Sequence, residues 1–401
     1  MRVGASMARG DGGLALEVLS VHPPVWRVAD FLSAAESEWY VEEMKRNGGM
    51  RRSKTSNDGG AQGMLAPFAE ASRGGAALTV AELRDAFRAL LDMPRLGDGG
   101  AAELLGALDA DGDGAVAEDE WSNERSWGAV HRLVGAFRRS SPEKFARFSQ
   151  QGWVPSSPPS VAARIATLLG IPPALLPNGT AAGSGATGSE SPFGEHVQVL
   201  RYGERGHYTC HHDSGAAEDG QPSALQRAYT VLIHLRDVPL EQGGGTWFPG
   251  AGLDAAGRWS EDDWGALETR CTLDNRCRSG GADGDGLVVP SVRGQAIIWQ
   301  NHRTKNHPQS GPWGVGAARG WQDLDWSTLH AGCDVAPGSK LEKWVANQWV
   351  WREAVENICG IGDAAQTSAG GGAEEGGEEE EEGDIRSADE DEDDDDRPDE
   401  L

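Results

Sequence analysis

The sequence lacks any run of 18 or more apolar residues, which predicts that it contains no membrane-spanning helix. Basic residues are few: 36 Lys and Arg face 63 Asp and Glu, and the formal net charge is -27. A chain this acidic is poorly suited to hold phosphate groups, so we expect no nucleic-acid partner. Its 56 glycines follow no three-residue period, which excludes a collagen-like protein.

Cysteine is also scarce, with five residues and no C-x-x-C pair, so a structural zinc site is not expected. Cys271 and Cys277 lie six positions apart in a polar stretch, where either a short-loop disulfide or two free thiols would fit. The last four residues, PDEL, resemble an endoplasmic reticulum retrieval signal with an altered first position. Residues 1–20 contain no convincing signal peptide. We expect the endoplasmic reticulum as the location, with the cytoplasm as the alternative.

Residues 109–120 read DADGDGAVAEDE and match the twelve-residue EF-hand loop at every diagnostic position. Calcium prefers six or more oxygen ligands, and a cluster of carboxylates repels itself in its absence. Gly114 stands at the sharp turn, and Val116 is expected to pack against a partner loop. The predicted calcium ligands are Asp109, Asp111, Asp113, the backbone carbonyl of Ala115, and Glu120.

A second, degenerate EF-hand half is expected at residues 71–82, where Leu78 and Glu82 match positions 8 and 12 of the loop. Three ligand positions hold residues that supply no side-chain ligand: Ala71, Arg73 and Gly75. We therefore predict one calcium ion per chain.

The hydrophobic pattern, the sequence complexity and the charge change along the chain and divide it into regions. Short alternating or apolar runs separated by Gly and Pro dominate the second half, which is typical of an antiparallel sandwich or barrel. A final segment of low complexity and high charge is predicted to be disordered. The predicted regions are 14–60 (a strand and helix that precede the core), 64–125 (the EF-hand region), 126–192 (a helical connection and linker), 193–353 (the core) and 363–401 (the acidic tail).

A second metal site is indicated by the run HYTCHHDSG. His211 and Asp213 are two positions apart, so on a strand they point to the same face, while His212 points away. With one distant histidine they would form the two-histidine, one-carboxylate triad of iron oxygenases. His330, in LHAGCDV, is the preferred third ligand. The rival histidines are His207, His234, His302 and His307.

Longer motifs carry a resemblance to a known family. Tyr208 precedes His211 by three positions and Asp213 follows it by two, and the strand RAYTVLIHL spans 227–235. GGGTWFPG at 243–250 has glycine where the usual pattern has Glu, and LHAGCDV contains the distal histidine. The sequence resembles the prolyl 4-hydroxylases over about residues 14–352. A membrane-anchored member of that family also has EF-hands before its iron-binding core.

The resemblance implies the fold, cofactors and metal ligands. The implied fold is α+β: a double-stranded β-helix, or jelly roll, with N-terminal helices and an inserted α-helical EF-hand region. Its catalytic and iron-binding residues would be His211, Asp213 and His330. The implied cofactors are Fe(II), 2-oxoglutarate, O2 and L-ascorbate, with Ca2+ in the EF-hand. The implied partner is a proline-containing protein or peptide, and the oligomeric state stays open.

The family also binds the far carboxylate of 2-oxoglutarate with a lysine, for which this chain offers two candidates. Lys340 has the family's distance from the distal histidine, whereas Lys343 precedes Trp344 and stands six residues before Trp349. Strand parity favours Lys343, because it shares a face with Trp349. The resemblance further implies cosubstrate contacts by Tyr202, Thr246 and Trp349.

Together these features predict an oxygenase of the procollagen-proline 4-dioxygenase type with a calcium-binding EF-hand. Two alternatives stay open at this point. In the first, the chain is a non-catalytic calcium-binding protein on the same fold. In the second, it is an oxygenase that acts on a substrate other than proline.

Overall fold

The structure is a computed structural model that describes residues 6–9, 14–46, 49–53, 68–171, 173, 176, 195–214, 227–253, 260–273, 286–304 and 321–351. Cys277, His307, most of the predicted linker and the acidic tail at 363–401 lie outside these residues. Among the described residues, no helix has both the length and the apolar character needed to cross a membrane.

The strands of the described residues are β1 (Ser6–Arg9), β2 (Leu14–Val21), β3 (Pro24–Val28), β4 (Arg51–Arg52), β5 (Ala77–Leu78), β6 (Val116–Ala117), β7 (Arg147–Phe148), β8 (Gln150–Val154), β9 (Val197–Tyr202), β10 (His207–His211), β11 (Arg227–His234), β12 (Thr246–Phe248), β13 (Leu287–Val289), β14 (Ala296–Gln300), β15 (His302–Thr304), β16 (Trp321–Leu324), β17 (His330–Gly332) and β18 (Lys343–Trp351).

The helices are α1 (Ala34–Arg46), α2 (Phe68–Ala71), α3 (Val80–Leu90), α4 (Asp98–Leu108), α5 (Glu118–Trp121), α6 (Glu124–Ser140), α7 (Pro159–Leu169) and α8 (Glu261–Leu273). Short 3-10 turns span Pro142–Lys144, Leu240–Gln242 and Trp326–Thr328.

Two antiparallel sheets form the core of the fold. A nine-stranded sheet has the order β1-β2-β3-β14-β11-β18-β9-β8-β4, and a five-stranded sheet has the order β13-β12-β17-β10-β7. One buried cluster joins Leu232 and Val345 of the large sheet to Phe248 and Val289 of the small one. Side chains between two facing sheets are the core of a sandwich, so the predicted mixture of helices with a jelly-roll sheet pair is confirmed.

The outer face of the large sheet is covered by α1 and α7. The strand predicted within residues 14–60 is β2, and the helix predicted after it is α1, whose Tyr40, Val41 and Met44 are buried against the sheet. Ser33 caps α1: its backbone N–H donates to Glu36 Oε2 at 2.9 Å. Because helices cover the outer face, only the inner face of the large sheet is available to line a cavity.

A separate hydrophobic cluster holds the helices from α2 to α6 together. Leu78 of β5 and Val116 of β6 pair across a two-stranded sheet, and both are fully buried. The aromatic rings of Phe87, Trp121 and Trp127 pack against one another in this cluster. The cluster continues past the predicted boundary at 125 as far as Phe145, the residue at which the chain turns toward the small sheet.

Candidate metal and cosubstrate site

Two strands of the small sheet bring three ligand side chains together. His211 ends β10 and pairs directly with His330, which begins β17, while Asp213 follows β10 by two residues. Asp213 Oδ1 lies 3.7 Å from the Nε2 atoms of both His211 and His330. One ligand atom from each residue lies within 4.8 Å of the others, so all three can contact one metal ion.

Backbone carbonyls set the orientation of both imidazoles. Nδ1 of His211 contacts the carbonyl oxygen of Thr209 at 2.8 Å, and Nδ1 of His330 contacts that of Thr328 at 2.9 Å. A carbonyl oxygen only accepts, so Nδ1 carries the proton and Nε2 presents its lone pair. Each imidazole is therefore held in the tautomer that a metal requires.

The carboxylate of Asp213 is held by its second oxygen. Oδ2 accepts hydrogen bonds from Thr230 Oγ1 at 2.8 Å and from Trp349 Nε1 at 3.1 Å. Thr230 in turn accepts from Asn301 Nδ2 at 3.0 Å. These bonds fix the carboxylate with Oδ1 directed at the two imidazoles.

The charges of the triad fit a divalent metal. Burial is the largest influence on the pKa of Asp213 and would raise it, yet His330, His211 and the guanidinium of Arg227 together lower it to about 2. Burial and the neighbouring His330 lower the pKa of His211 well below its ordinary value. An ionised carboxylate beside two imidazoles that present their Nε2 atoms is the donor set that Fe(II) oxygenases use.

The other rival histidines have different roles in the described residues. His207 contacts the carbonyl oxygens of Arg205 and Phe145, and His302 Nε2 contacts Ser214 Oγ. His234 is fully buried in β11. The structure thus brings together the three residues preferred from the sequence and keeps these rivals out of the cluster.

A cavity of about 260 Å³ extends from the triad between the two sheets, and Lys343 lines its wall. Lys343 is only 2% exposed, and its Nζ donates to the carbonyl oxygen of Gly245 at 2.9 Å. Burial lowers the pKa of Lys343 to about 7. Among the described residues no carboxylate approaches Nζ to 4.0 Å, so this buried cation fits an incoming carboxylate.

Residues around Lys343 complete this end of the cavity. Thr246 Oγ1 lies 3.5 Å from Nζ, and the Tyr202 ring centre lies 5.3 Å away. Trp349 lines the same cavity beside Asp213. Lys340 lies exposed in the connection between β17 and β18, outside the cavity lining. Of the two candidate lysines, only Lys343 is placed where it can bind a cosubstrate of the triad.

Several cavity residues were not found from the sequence. Arg147 comes from β7, immediately after the helical region, and its guanidinium lies 4.5 Å from the Tyr208 ring centre. Gln151 and Gln198 also line the cavity. Arg227, which stands in the quoted strand motif, lies 3.7 Å from the Trp349 ring centre and could have been proposed from it. The others carry no local signal, because strand pairing alone brings them to the cavity.

The acidic loop forms a second cluster of ligand atoms. Carboxylate oxygens of Asp109, Asp111 and Glu120 lie within 4.8 Å of one another. Backbone N–H groups of the loop donate to these carboxylates, for example Gly112 to Asp109 at 2.7 Å. Gly114 has a φ of +87°, the left-handed conformation that position 6 of such a loop requires. A set of hard oxygen donors of this kind fits calcium.

The structure contradicts both expectations for Cys271. Its sulfur is bonded to Cys210, 61 residues earlier, with a Cα–Cα distance of 5.8 Å, so it neither pairs with Cys277 nor stays free. The physical reason is the packing of α8 over the small sheet, which buries Cys271 among Cys210, Leu267 and other apolar residues. Sequence spacing could not reveal this, because α8 and β10 meet only in the folded chain.

Comparison with known proteins agrees with this geometry. Residues 197–351 match the 2OG-Fe(II) oxygenase superfamily. The chain is 26% identical over 380 residues to the transmembrane prolyl 4-hydroxylase of Mus musculus, covering 84% of this chain and 64% of that protein, which is less than two thirds of the relative's length. It is 29% identical over 161 residues to prolyl 4-hydroxylase 1 of Arabidopsis thaliana, covering 40% of this chain and 42% of that protein.

Among solved structures, the chain is similar to the viral collagen prolyl hydroxylase of Paramecium Bursaria Chlorella virus-1 in its 2OG complex, with 21% identity and a TM-score of 0.30. That likeness covers 55% of this chain and 87% of the viral one. The family match and the curated relatives agree: residues 197–351 of this chain are similar to the 2OG-Fe(II) oxygenase superfamily, and the chain as a whole is similar to prolyl 4-hydroxylases.

Proposed function

We propose that this chain is a Fe(II)- and 2-oxoglutarate-dependent dioxygenase that hydroxylates peptidyl proline, with procollagen-proline 4-dioxygenase chemistry. The observation that carries the proposal is the shared cavity, which has the His211, Asp213 and His330 cluster and the buried Lys343 in its wall. Bound iron and 2-oxoglutarate would supply the oxidising power to convert a C–H bond and O2 into an alcohol, with L-ascorbate as the expected reductant.

The chain's own residues bind and orient in this mechanism. Nε2 of each imidazole and Oδ1 of Asp213 would hold the metal, and the hydrogen bonds from Thr230 and Trp349 fix the orientation of the Asp213 carboxylate. Lys343 pairs with the far carboxylate of 2-oxoglutarate, and Thr246 and Tyr202 close the pocket around it. The facing sheets exclude bulk water from this end, which strengthens the lysine–carboxylate attraction.

Mass spectrometry tests this proposal. The full chain is incubated with Fe(II), 2-oxoglutarate, ascorbate and a Pro-Pro-Gly repeat peptide. We expect a mass increase of one oxygen on proline and an equal amount of succinate. Succinate without peptide oxidation would favour an oxygenase with a non-prolyl substrate. No succinate under any condition would favour the non-catalytic alternative.

We further propose that residues 109–120 bind one calcium ion, through Asp109, Asp111, Asp113, the Ala115 carbonyl and Glu120. The convergence of three carboxylates supports this proposal. The pKa of Glu120 is lowered, first by the hydrogen bond from the Ala117 N–H, so the carboxylate is ionised at neutral pH.

Calorimetric calcium titration tests this second proposal. We expect one strong site, lost in Glu120→Gln and retained in Glu82→Gln, the matching position of the degenerate half. Two strong sites in the unmodified chain, or a site that survives Glu120→Gln, would contradict it.

Location in the endoplasmic reticulum stays a prediction from the C-terminal residues, which lie outside the described part of the chain. The disulfide between Cys210 and Cys271 supports it, because disulfides persist in oxidising compartments.

A further inference from the structure

A row of side chains crosses the inner face of the large sheet and ends inside the cavity. Trp153 of β8 pairs with Gln198 of β9, which pairs with Asn347 of β18. Trp153 is 43% exposed at the rim, whereas Asn347 is only 7% exposed. All three line the cavity that contains the iron-ligand cluster. The row therefore leads from solvent to the interior of the proposed active site.

The side-chain amides beside this row form a directed relay. Gln198 Nε2 donates to Gln151 Oε1 at 2.8 Å, which turns Gln198 Oε1 toward β18. Asn347 Nδ2 donates to that Gln198 oxygen at 3.4 Å. The relay leaves Asn347 Oδ1 buried and without a hydrogen-bond partner among the described residues. A buried oxygen of this kind costs free energy unless a donor arrives, so it indicates a missing partner.

The chemistry of the cosubstrate excludes it as that partner. Both carboxylates and the keto group of 2-oxoglutarate only accept hydrogen bonds at neutral pH. The partner of Asn347 Oδ1 must carry an N–H or O–H group. Trp349, two residues along the same face of β18, donates to Asp213, so Asn347 lies next to the reacting centre in the sheet.

Proline itself has no backbone N–H, so a proline-rich substrate offers few donors. In a Pro-Pro-Gly repeat the glycine N–H is the one backbone donor of each repeat. We propose that Asn347 is a specificity-determining residue whose Oδ1 accepts the backbone N–H of the residue beside the target proline. This inference rests on the proposed prolyl hydroxylase function. In this proposal Asn347 binds one peptide N–H group, and Gln151 and Gln198 hold Asn347 in the orientation that this requires.

The test removes the hydrogen bond from each side in turn. One peptide is a Pro-Pro-Gly repeat, and the other replaces glycine by N-methylglycine, which removes the donor. With the unmodified enzyme we expect the N-methyl peptide to show a KM about tenfold higher, the size of one lost hydrogen bond to a buried group. In Asn347→Leu, which keeps the side-chain volume, both peptides are expected to share the higher KM.

Matched variants separate this role from general disturbance of the cavity. Val345→Ala changes the same face of β18 without touching the relay, so the KM ratio between the peptides should stay near ten. Gln198→Ala should lower that ratio in part, because it frees Asn347 to rotate. The Michaelis constant for the cosubstrate should not follow these changes, since the relay offers it no donor.

The outcomes distinguish this inference from the proposed function. Equal KM values for the two peptides in the unmodified enzyme would overturn the role of Asn347, and would mean that water fills its acceptor position. A KM ratio unchanged in Asn347→Leu would also overturn it. Absence of hydroxylation on both peptides, with succinate formed from 2-oxoglutarate alone, would instead count against the peptidyl-proline substrate.

Discussion

The two candidate metal sites of this chain are built in opposite ways. The candidate calcium loop takes its carboxylates from twelve consecutive residues, and Asp111 among them is exposed. The candidate iron site joins His211 to His330, which are far apart in sequence, and buries Asp213 and His330 within a sandwich. A local site needs little more than a turn with the right φ angles, whereas the buried site depends on two sheets, a fixed register and hydrogen bonds to each ligand.

This difference predicts that single changes at the buried site have large and specific effects. In Asp213→Ala we expect peptide-dependent succinate formation to fall by more than about a hundredfold, because loss of even an outer partner of a metal ligand typically costs 10- to 100-fold. The fold should survive, since the change also removes a buried charge, and circular dichroism checks this. Activity within tenfold of the unmodified enzyme would contradict the assignment of the ligand.

The covalent link between Cys210 and Cys271 belongs to the long-range region and has no counterpart in the calcium loop. Its sequence separation of 61 residues implies a loss of up to about 4 kcal/mol in free energy of unfolding when both are changed to Ser. Denaturant titration with and without reductant measures this loss. Peptide mapping that finds Cys271 joined to Cys277 would contradict the pairing.

The two candidate lysines allow the same comparison between a buried and an exposed position, because Lys343 is buried in β18 and Lys340 is exposed in the loop before it. Removal of Lys343 takes away a buried charge-assisted contact, so Lys343→Ala should raise the Michaelis constant for the cosubstrate about 10- to 100-fold. Lys340→Ala is the matched control, because Lys340 is exposed and outside the cavity. Equal effects of the two changes would show that neither lysine binds the cosubstrate directly.

The pH dependence of cosubstrate binding is the smallest expected effect. Burial lowers the pKa of Lys343 to about 7, and the carboxylate of 2-oxoglutarate requires the protonated amine. Binding therefore takes up a proton above pH 7, and the Kd should rise by up to about tenfold per pH unit from 7 toward 9. Lys343→Arg stays charged over this range and should remove the dependence. A Kd for 2-oxoglutarate that does not change between pH 7 and pH 9 in the unmodified enzyme would contradict this prediction.

Much of the fold followed from local patterns. The strand and helix predicted within residues 14–60 are β2 and α1, and the strand predicted at 227–235 is β11, because alternation and helical spacing are local properties. The structure also places His211, Asp213 and His330 together, as the motif resemblance implied. The choice among rival histidines could not be made by spacing, since it depends on which strands pair.

The sequence by itself predicted the types of ligand and the turn of the acidic loop, because residue chemistry and twelve contiguous positions are enough to specify them. Only the tertiary structure decided that Cys271 meets Cys210, that Lys343 is buried while Lys340 is exposed, and that Asn347 Oδ1 is buried without a hydrogen-bond partner among the described residues. These outcomes depend on strand register and helix packing, which come from the burial of apolar surface over the whole chain rather than from any local run of residues.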